Sequence, residues 1–210
     1  MTPPNASEGF DDYVSDPKKP VPYADVHGLR IDKDYMSSDQ RFASRRPDVL
    51  VYVTEPLTED VTLAGPLAAR LWVSTTGTDA DFVVKLVDVY PHDYPDPAPN
   101  PKGVHMGGYQ QLVRGEVMRG KFRESFSEPK AFTPDAPTEV QFTLPDVAHS
   151  FRAGHRIMVQ VQSSWFPLVD MNPQTFTDIY RAQAGDFRRA THRVYRHADM
   201  PSAVTVTLAP

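Results

Sequence analysis

The sequence contains no cysteine. That excludes disulfide staples, thiolate nucleophiles and cysteine-based zinc sites, and it fits the cytoplasm and the bacterial periplasm equally. No apolar run approaches the ~20 residues needed to cross a bilayer. The opening MTPPNASEGFDDY has neither a basic n-region nor an apolar h-region, so neither a signal peptide nor a membrane partner is expected and the chain reads as soluble. Basic residues are scattered over a net charge of −5. The densest group, Arg188, Arg189, Arg193 and Arg196, falls in alternating polarity that suits a strand, which leaves nucleic acid a poor partner.

Several catalytic signatures are missing too. An α/β-hydrolase nucleophile needs a Gly-x-Ser-x-Gly elbow, because the tight strand-to-helix turn leaves no room for neighbouring Cβ atoms. No serine here has a glycine two positions before it. The histidines show neither HExxH nor His-x-His spacing, and no glycine-rich phosphate loop is present, so neither metal nor cofactor is expected. Thr78-Asp79-Ala80-Asp81 offers two carboxylates to a calcium ion but lacks the glutamate and glycine framework of a dedicated site, and turn and strand-cap duty is the favoured reading.

What the chain does have is proline, 21 residues, about twice ordinary usage. That argues for many loops and few long helices. With 40% hydrophobic and 23% charged residues the chain can bury a core. Residues 1–48 carry little periodicity and many breakers, and read as an extended arm lying against a larger body.

From Val49 onward short apolar runs recur between turn signals: VLVYV (49–53), DVTLAG (60–65), LAARLWVS (67–74), DFVVKLVDVY (81–90) and YQQLVRGEVMRGKFRES (109–125). Gly115 and Gly120 are candidate bulge or kink positions in the last of these. The proline-rich 91–108 reads as a projecting loop. TEVQFTL (138–144), HRIMVQVQ (155–162) and AVTVTL (203–208) alternate with period two, one wet face and one dry. About nine strands without helices between them predict an all-β fold of two antiparallel sheets packed face to face over 49–210. The one helix candidate is TFTDIYRAQA (175–184), with Phe176, Ile179, Tyr180 and Gln183 at i, i+3, i+4 and i+7.

The stretch 151–173, FRAGHRIMVQVQSSWFPLVDMNP, holds His155, Ser163, Ser164 and Asp170. The letters of a triad are there, but consecutive strands supply no parallel sheet beneath an elbow. His155 reads as a strand-end histidine bonded to backbone, and the serines as groups satisfying backbone at a bend. Trp165-Phe166-Pro167 at the strand exit either caps the sandwich or faces a partner. Carbohydrate binding through Trp72, Tyr109, Trp165 or Tyr195 is the alternative function, although aromatics at strand spacing are more often core.

RPDVLVYVTEPLTEDVTLAGPL, LWVSTTGTDADFVVKLVDVYP and FRAGHRIMVQVQSSWFPLVDMNPQT resemble the C-terminal domain of the X-prolyl dipeptidyl-peptidase and cocaine-esterase group of serine hydrolases. YVSDPKKPVPY, YMSSDQRFASRRPDVL and MGGYQQLVRGEVMRGKFRES are closer still to α-amino acid ester hydrolases and glutaryl 7-aminocephalosporanic acid acylases. The resemblance implies a jelly-roll β-sandwich, galactose-binding-domain-like, that is not catalytic itself. It implies a parent whose triad and oxyanion hole lie in a separate α/β-hydrolase domain, so no catalytic residue is assigned to this chain. It further implies that Trp165, Phe166, Pro167, Asp170 and Asn172, with the arm at 10–45, face that partner domain, and that the chain helps shape a substrate entrance and form a homo-oligomer.

Overall fold

The structure, a computed structural model, describes residues 9–25 and 33–209. Nine strands are seen among them: β1 (Phe10–Ser15), β2 (Val49–Val53), β3 (Val61–Thr75), β4 (Asp81–Val89), β5 (Gln110–Arg119), β6 (Thr138–Phe151), β7 (Arg156–Gln162), β8 (Ala190–Tyr195) and β9 (Ala203–Thr205). Sheet I runs β1-β8-β3-β6, with β9 also beside β3, and sheet II runs β2-β7-β4-β5, every pairing antiparallel. The all-β sandwich predicted from the alternation is what forms. No described helix is long and apolar enough to cross a membrane.

The inner faces of both sheets supply one core. Leu63, Leu67, Ala69, Leu71 and Val73 of β3 meet Phe82, Val84 and Leu86 of β4, with Val140, Phe142, Leu144, Val147 and Phe151 of β6 closing the side. The two runs predicted as separate strands at 60–65 and 67–74 are a single strand, β3. Pro66 marks an irregularity, not an end. Register with β6 slips between Gly65 and Leu67, where Pro145 and Asp146 stand opposite Pro66. Neither proline can donate to the ladder, and Gly65 at φ +115° takes the bulge conformation that a side chain resists.

The outer face of sheet II is not wet. Val83, Val87, Leu112 and Met158 are covered by Tyr23, Ala24 and Trp165, with Tyr35, Leu168 and Val169 packed beside them. Val21 and Ala43, the latter in the short helix α1 (Arg41–Ser44), cover the end at Val49. Met158, Gln160 and Gln162, which the period-two pattern assigned to a wet face, are therefore buried. The arm also supplies β1, an edge strand of sheet I paired with β8 along its whole length.

Two further expectations are corrected. Residues 175–184 form no helix beyond a 3-10 turn at Ile179–Arg181, capped by Asp178 accepting from the Tyr180 N–H. Of the alternating residues 203–208 only three form strand, and Leu208 is 63% exposed, so the dry face predicted there is confined to Val204. Gly120 opens a 3-10 turn that ends β5.

Candidate interaction site

The four residues that spell a triad are kept apart. Ser163 Oγ bonds the Tyr13 hydroxyl at 2.6 Å, and Ser164 Oγ accepts from the Val21 N–H at 2.8 Å. His155 stands at the other end of β7, about 26 Å of strand away at ~3.3 Å per residue. Asp170 is exposed, and its backbone carbonyl accepts from Arg119 Nη2 at 3.0 Å.

His155 has a partner that its local sequence did not reveal. Besides a backbone bond to the Arg152 carbonyl, its Nδ1–H donates to Asp88 Oδ1 at 2.8 Å, and His149 Nε2 donates to Asp88 Oδ2 at 2.9 Å. The backbone bonding expected of a strand-end histidine is present, and the pair with Asp88 adds to it. The three side chains come from β4, β6 and the turn before β7. Tyr90 and Tyr94 pack on the His155 ring with centroids 4.5 and 5.6 Å away. Among the described residues neither imidazole bonds a serine or threonine hydroxyl, so this cluster ties one end of the sandwich together.

Trp165 is buried over sheet II. Lys85 Nζ lies 5.2 Å from its ring centroid, Tyr35 meets it edge-on at 6.3 Å, and Gly115 lies beneath it. A Cβ at Gly115 would stand 3.0 Å from the indole, so any larger residue there would push the ring by a few tenths of an ångström from its seat. The segment after the indole is clamped to the arm: Phe166 N–H donates to the Val21 carbonyl and Tyr23 N–H to the Phe166 carbonyl. Phe166 and Pro167 are half-buried.

The opposite end carries the densest polar network. Arg119 makes two 3.1 Å bonds to the Asp81 carboxylate, and Asn172 Nδ2 donates to Asp81 Oδ1 at 2.7 Å. Asn172 is thus inside the fold, with its Oδ1 accepting from the Gln174 N–H at 2.6 Å. Asp79 Oδ1 accepts the backbone N–H groups of Ala80 and Lys121, and Lys121 Nζ reaches the Thr177 carbonyl at 2.7 Å. Gln174 donates to the Ser15 carbonyl, which turns its own oxygen toward His192 Nε2 at 2.8 Å. His192 must therefore donate from Nε2 and is neutral, and burial pushes its pKa down to about 3. The Thr78–Asp81 carboxylates serve caps and internal pairs, in keeping with the turn and strand-cap reading.

Burial raises the Asp79 carboxyl to about 6, the charge on Asp81 adding to the effect and the Ala80 N–H opposing it. A carboxyl whose folded pKa exceeds its unfolded value stabilises the fold at low pH, and that contribution is lost as pH rises through about 6. Asp79→Asn keeps an oxygen for both backbone donors. Relative to the unsubstituted chain it is expected to gain stability between about pH 4 and 6.5, by roughly 1–3 kcal/mol, measured by urea unfolding across that window. A constant difference across the window would refute it.

Among the described residues, clefts open at two flanks of the sandwich. One, about 590 Å³, opens between the edge strands β1 and β2, where Asp11 already takes the Tyr52 hydroxyl and Arg196. The other, about 470 Å³, lies at the Asp81–Arg119 end between the turn after β5 and the segment after Trp165. Its walls include Phe122, Phe126, Leu168 and Val169. Of the five residues expected at an interface, only Asp170 lines it; Trp165 and Asn172 support it from within. Phe126, in the polar turn ESFSEP, escaped the sequence reading; an aromatic at the centre of a turn was the available signal.

A two-layer β-sandwich in which Ser163 and Ser164 bond Tyr13 and Val21, while His149 and His155 bond Asp88, defines among the described residues a structural module. Its family is X-Pro dipeptidyl-peptidase C-terminal non-catalytic domain, whose sequence profile matches residues 2–205, and the chain belongs to it. It is 35% identical over 204 residues to a cocaine esterase from Rhodococcus sp. (strain MB1 Bresler), covering 97% of this chain and 33% of that enzyme. The crystal structure of an aminopeptidase from a marine sediment archaeon, Thaumarchaeota archaeon, superposes with a TM-score of 0.91 at 46% identity, covering 100% of this chain and 34% of that one. An α-amino acid ester hydrolase gives a TM-score of 0.90 at 47% identity over 99% of this chain and 34% of its own. The chain spans about a third of the length of these relatives.

Proposed function

We propose that this non-catalytic domain serves a serine hydrolase acting on esters, amides or X-Pro peptides, supporting an α/β-hydrolase domain, walling one side of its substrate entrance and contributing to oligomer contacts. The observation that carries the reading is the separation of Ser163 and Ser164 from His155 along β7, each bonded to a different partner. Acyl transfer needs nucleophile, base and orienting acid within hydrogen-bond reach of one another. In this proposal Phe166, Pro167 and Asp170 face the hydrolase domain, while Trp165 and Asn172 hold that segment from beneath. The arm at 1–48 acts with the sandwich at 49–210, as its bonds to Phe166 suit.

The purified chain is expected to leave p-nitrophenyl acetate and phenylglycine methyl ester at the background rate. Turnover that a serine-directed phosphonate abolishes would overturn the reading.

A further inference from the structure

Phe126 and Tyr180 are the most exposed large hydrophobic side chains described, at 83% and 88%. Both are held out by backbone that is already ordered. Arg123 laces the turn under Phe126, donating to the carbonyls of Gly120, Lys130 and Ala131 while its guanidinium stacks 4.3 Å over Phe132. Ser125 Oγ accepts from the Ser127 and Glu128 N–H groups, and Lys130 pairs with Glu124. Tyr180 sits on the 3-10 turn capped by Asp178. The bond from Lys121 to Thr177 joins the two turns, and the bond from Arg119 to the Asp170 carbonyl joins both to the segment bearing Leu168 and Val169.

An aromatic ring presented by a rigid turn loses little entropy when it is covered, which is the property of an interface anchor. The cleft beside Phe126 is apolar along Leu168 and Val169. The cations around it are paired internally, Arg119 with Asp81, Lys130 with Glu124 and Arg181 with Asp178, while Asp170 adds an exposed carboxylate to the wall. None of these cations is left to call for an anionic ligand. The relatives that match this whole chain extend for about another two thirds of their length.

We propose that the Phe126 cleft, with Tyr180 beside it, is the docking surface for the remaining two thirds of the hydrolase, received as an apolar protein surface with Phe126 as the anchor. This rests on the function proposed above and names the part of the surface that carries it.

The test uses whole proteins. This chain replaces the matching third of the α-amino acid ester hydrolase, and hydroxyl-radical labelling compares the chimera with the free chain; the same exchange in the cocaine esterase provides a second scaffold. Labelling of Phe126 and Tyr180 is expected to fall about tenfold in the chimera, the contrast between an exposed ring and an interface core. Phe126→Asp in the chimera is expected to raise Tyr180 labelling about threefold. The same substitution should leave the thermal midpoint of the free chain unchanged, since the ring is not part of its core. Protection of Phe10 and Val53 with Phe126 still reactive would overturn the cleft while preserving the domain-support reading. Loss of protection at both faces would overturn that reading as well.

Discussion

Asp81→Ala is expected to be the most damaging single change at a polar position. Asp81 is 2% exposed and receives both arms of the Arg119 guanidinium together with the Asn172 amide. Removing the carboxylate strands a half-buried cation and leaves a buried amide donor unpaired. Breaking a buried pair from one side costs about 3–5 kcal/mol. For a chain of this size that corresponds to roughly 6–20 °C in the thermal midpoint. The double variant Asp81→Leu/Arg119→Met removes both charges and is expected to recover most of the loss, because the cost lies in the uncompensated charge rather than in the value of the pair. Calorimetry of both variants decides the matter. A midpoint for Asp81→Ala within about 2 °C of the parent would show that water reaches this pair and that the network does not order the cleft.

The same region shows how far the sequence could be read. Period-two alternation in 138–144 and 155–162 was enough for strands and for the sandwich, because one face of each must be dry whatever covers the other. What alternation cannot say is whether the polar face meets water. Gln160 and Gln162 read as wet and are fully buried, since the arm and the Trp165 segment cover them, and no local pattern announces a covering contributed from 120 residues away. Proline misled in the opposite sense. Pro66 divided one long strand into two on paper, although a bulge lets β3 continue past it. Similar breakers around FDDYVS concealed β1, which draws its order from pairing with β8 rather than from its own composition.

The helix read over 175–184 failed for an energetic reason. Its apolar residues have the right spacing, but a helix is held mainly by packing its apolar face, and this segment has nothing to pack against. Thr175 and Phe176 are committed to other bonds: Thr175 Oγ1 donates to the Asp186 carbonyl, and Phe176 N–H donates to Thr78 Oγ1. Gln174 just before them is held at φ +62°, outside helical backbone. Of the candidate site, the Trp165–Pro167 exit was legible because large rings beside proline stand out. Phe126 was not, because its significance comes from a turn laced by Arg123 and from a cleft wall, Leu168 and Val169, supplied by another part of the chain.

Lys85→Met is expected to change the pH dependence of stability more than any other substitution. Lys85 is fully buried on the outer face of sheet II, and its ammonium has one hydrogen bond, to Gln40 Oε1 at 3.1 Å, with the Trp165 and Phe42 rings beside it. No carboxylate pairs with it among the described residues. Burial lowers its pKa to about 7. A base whose folded pKa lies below its unfolded value contributes stability in full above about pH 10.5 and loses it as pH falls toward 7, because the unfolded state binds the proton first. The span corresponds to roughly 5 kcal/mol as an upper figure. Methionine fills a similar volume and carries no charge, so the variant should lose the rise in stability between about pH 7 and 10 and gain about 1–4 kcal/mol near pH 6. Its arm should also become harder to cleave by protease at the acid end, since Gln40 and Phe42 belong to the layer that covers the ammonium. Parallel stability curves for the two proteins would mean that the ammonium finds water within the fold. The tight packing of Trp165 on Gly115 and of Tyr23, Tyr35 and Ala43 over sheet II argues against that outcome, and it makes the described part of the arm a constituent of the folded module.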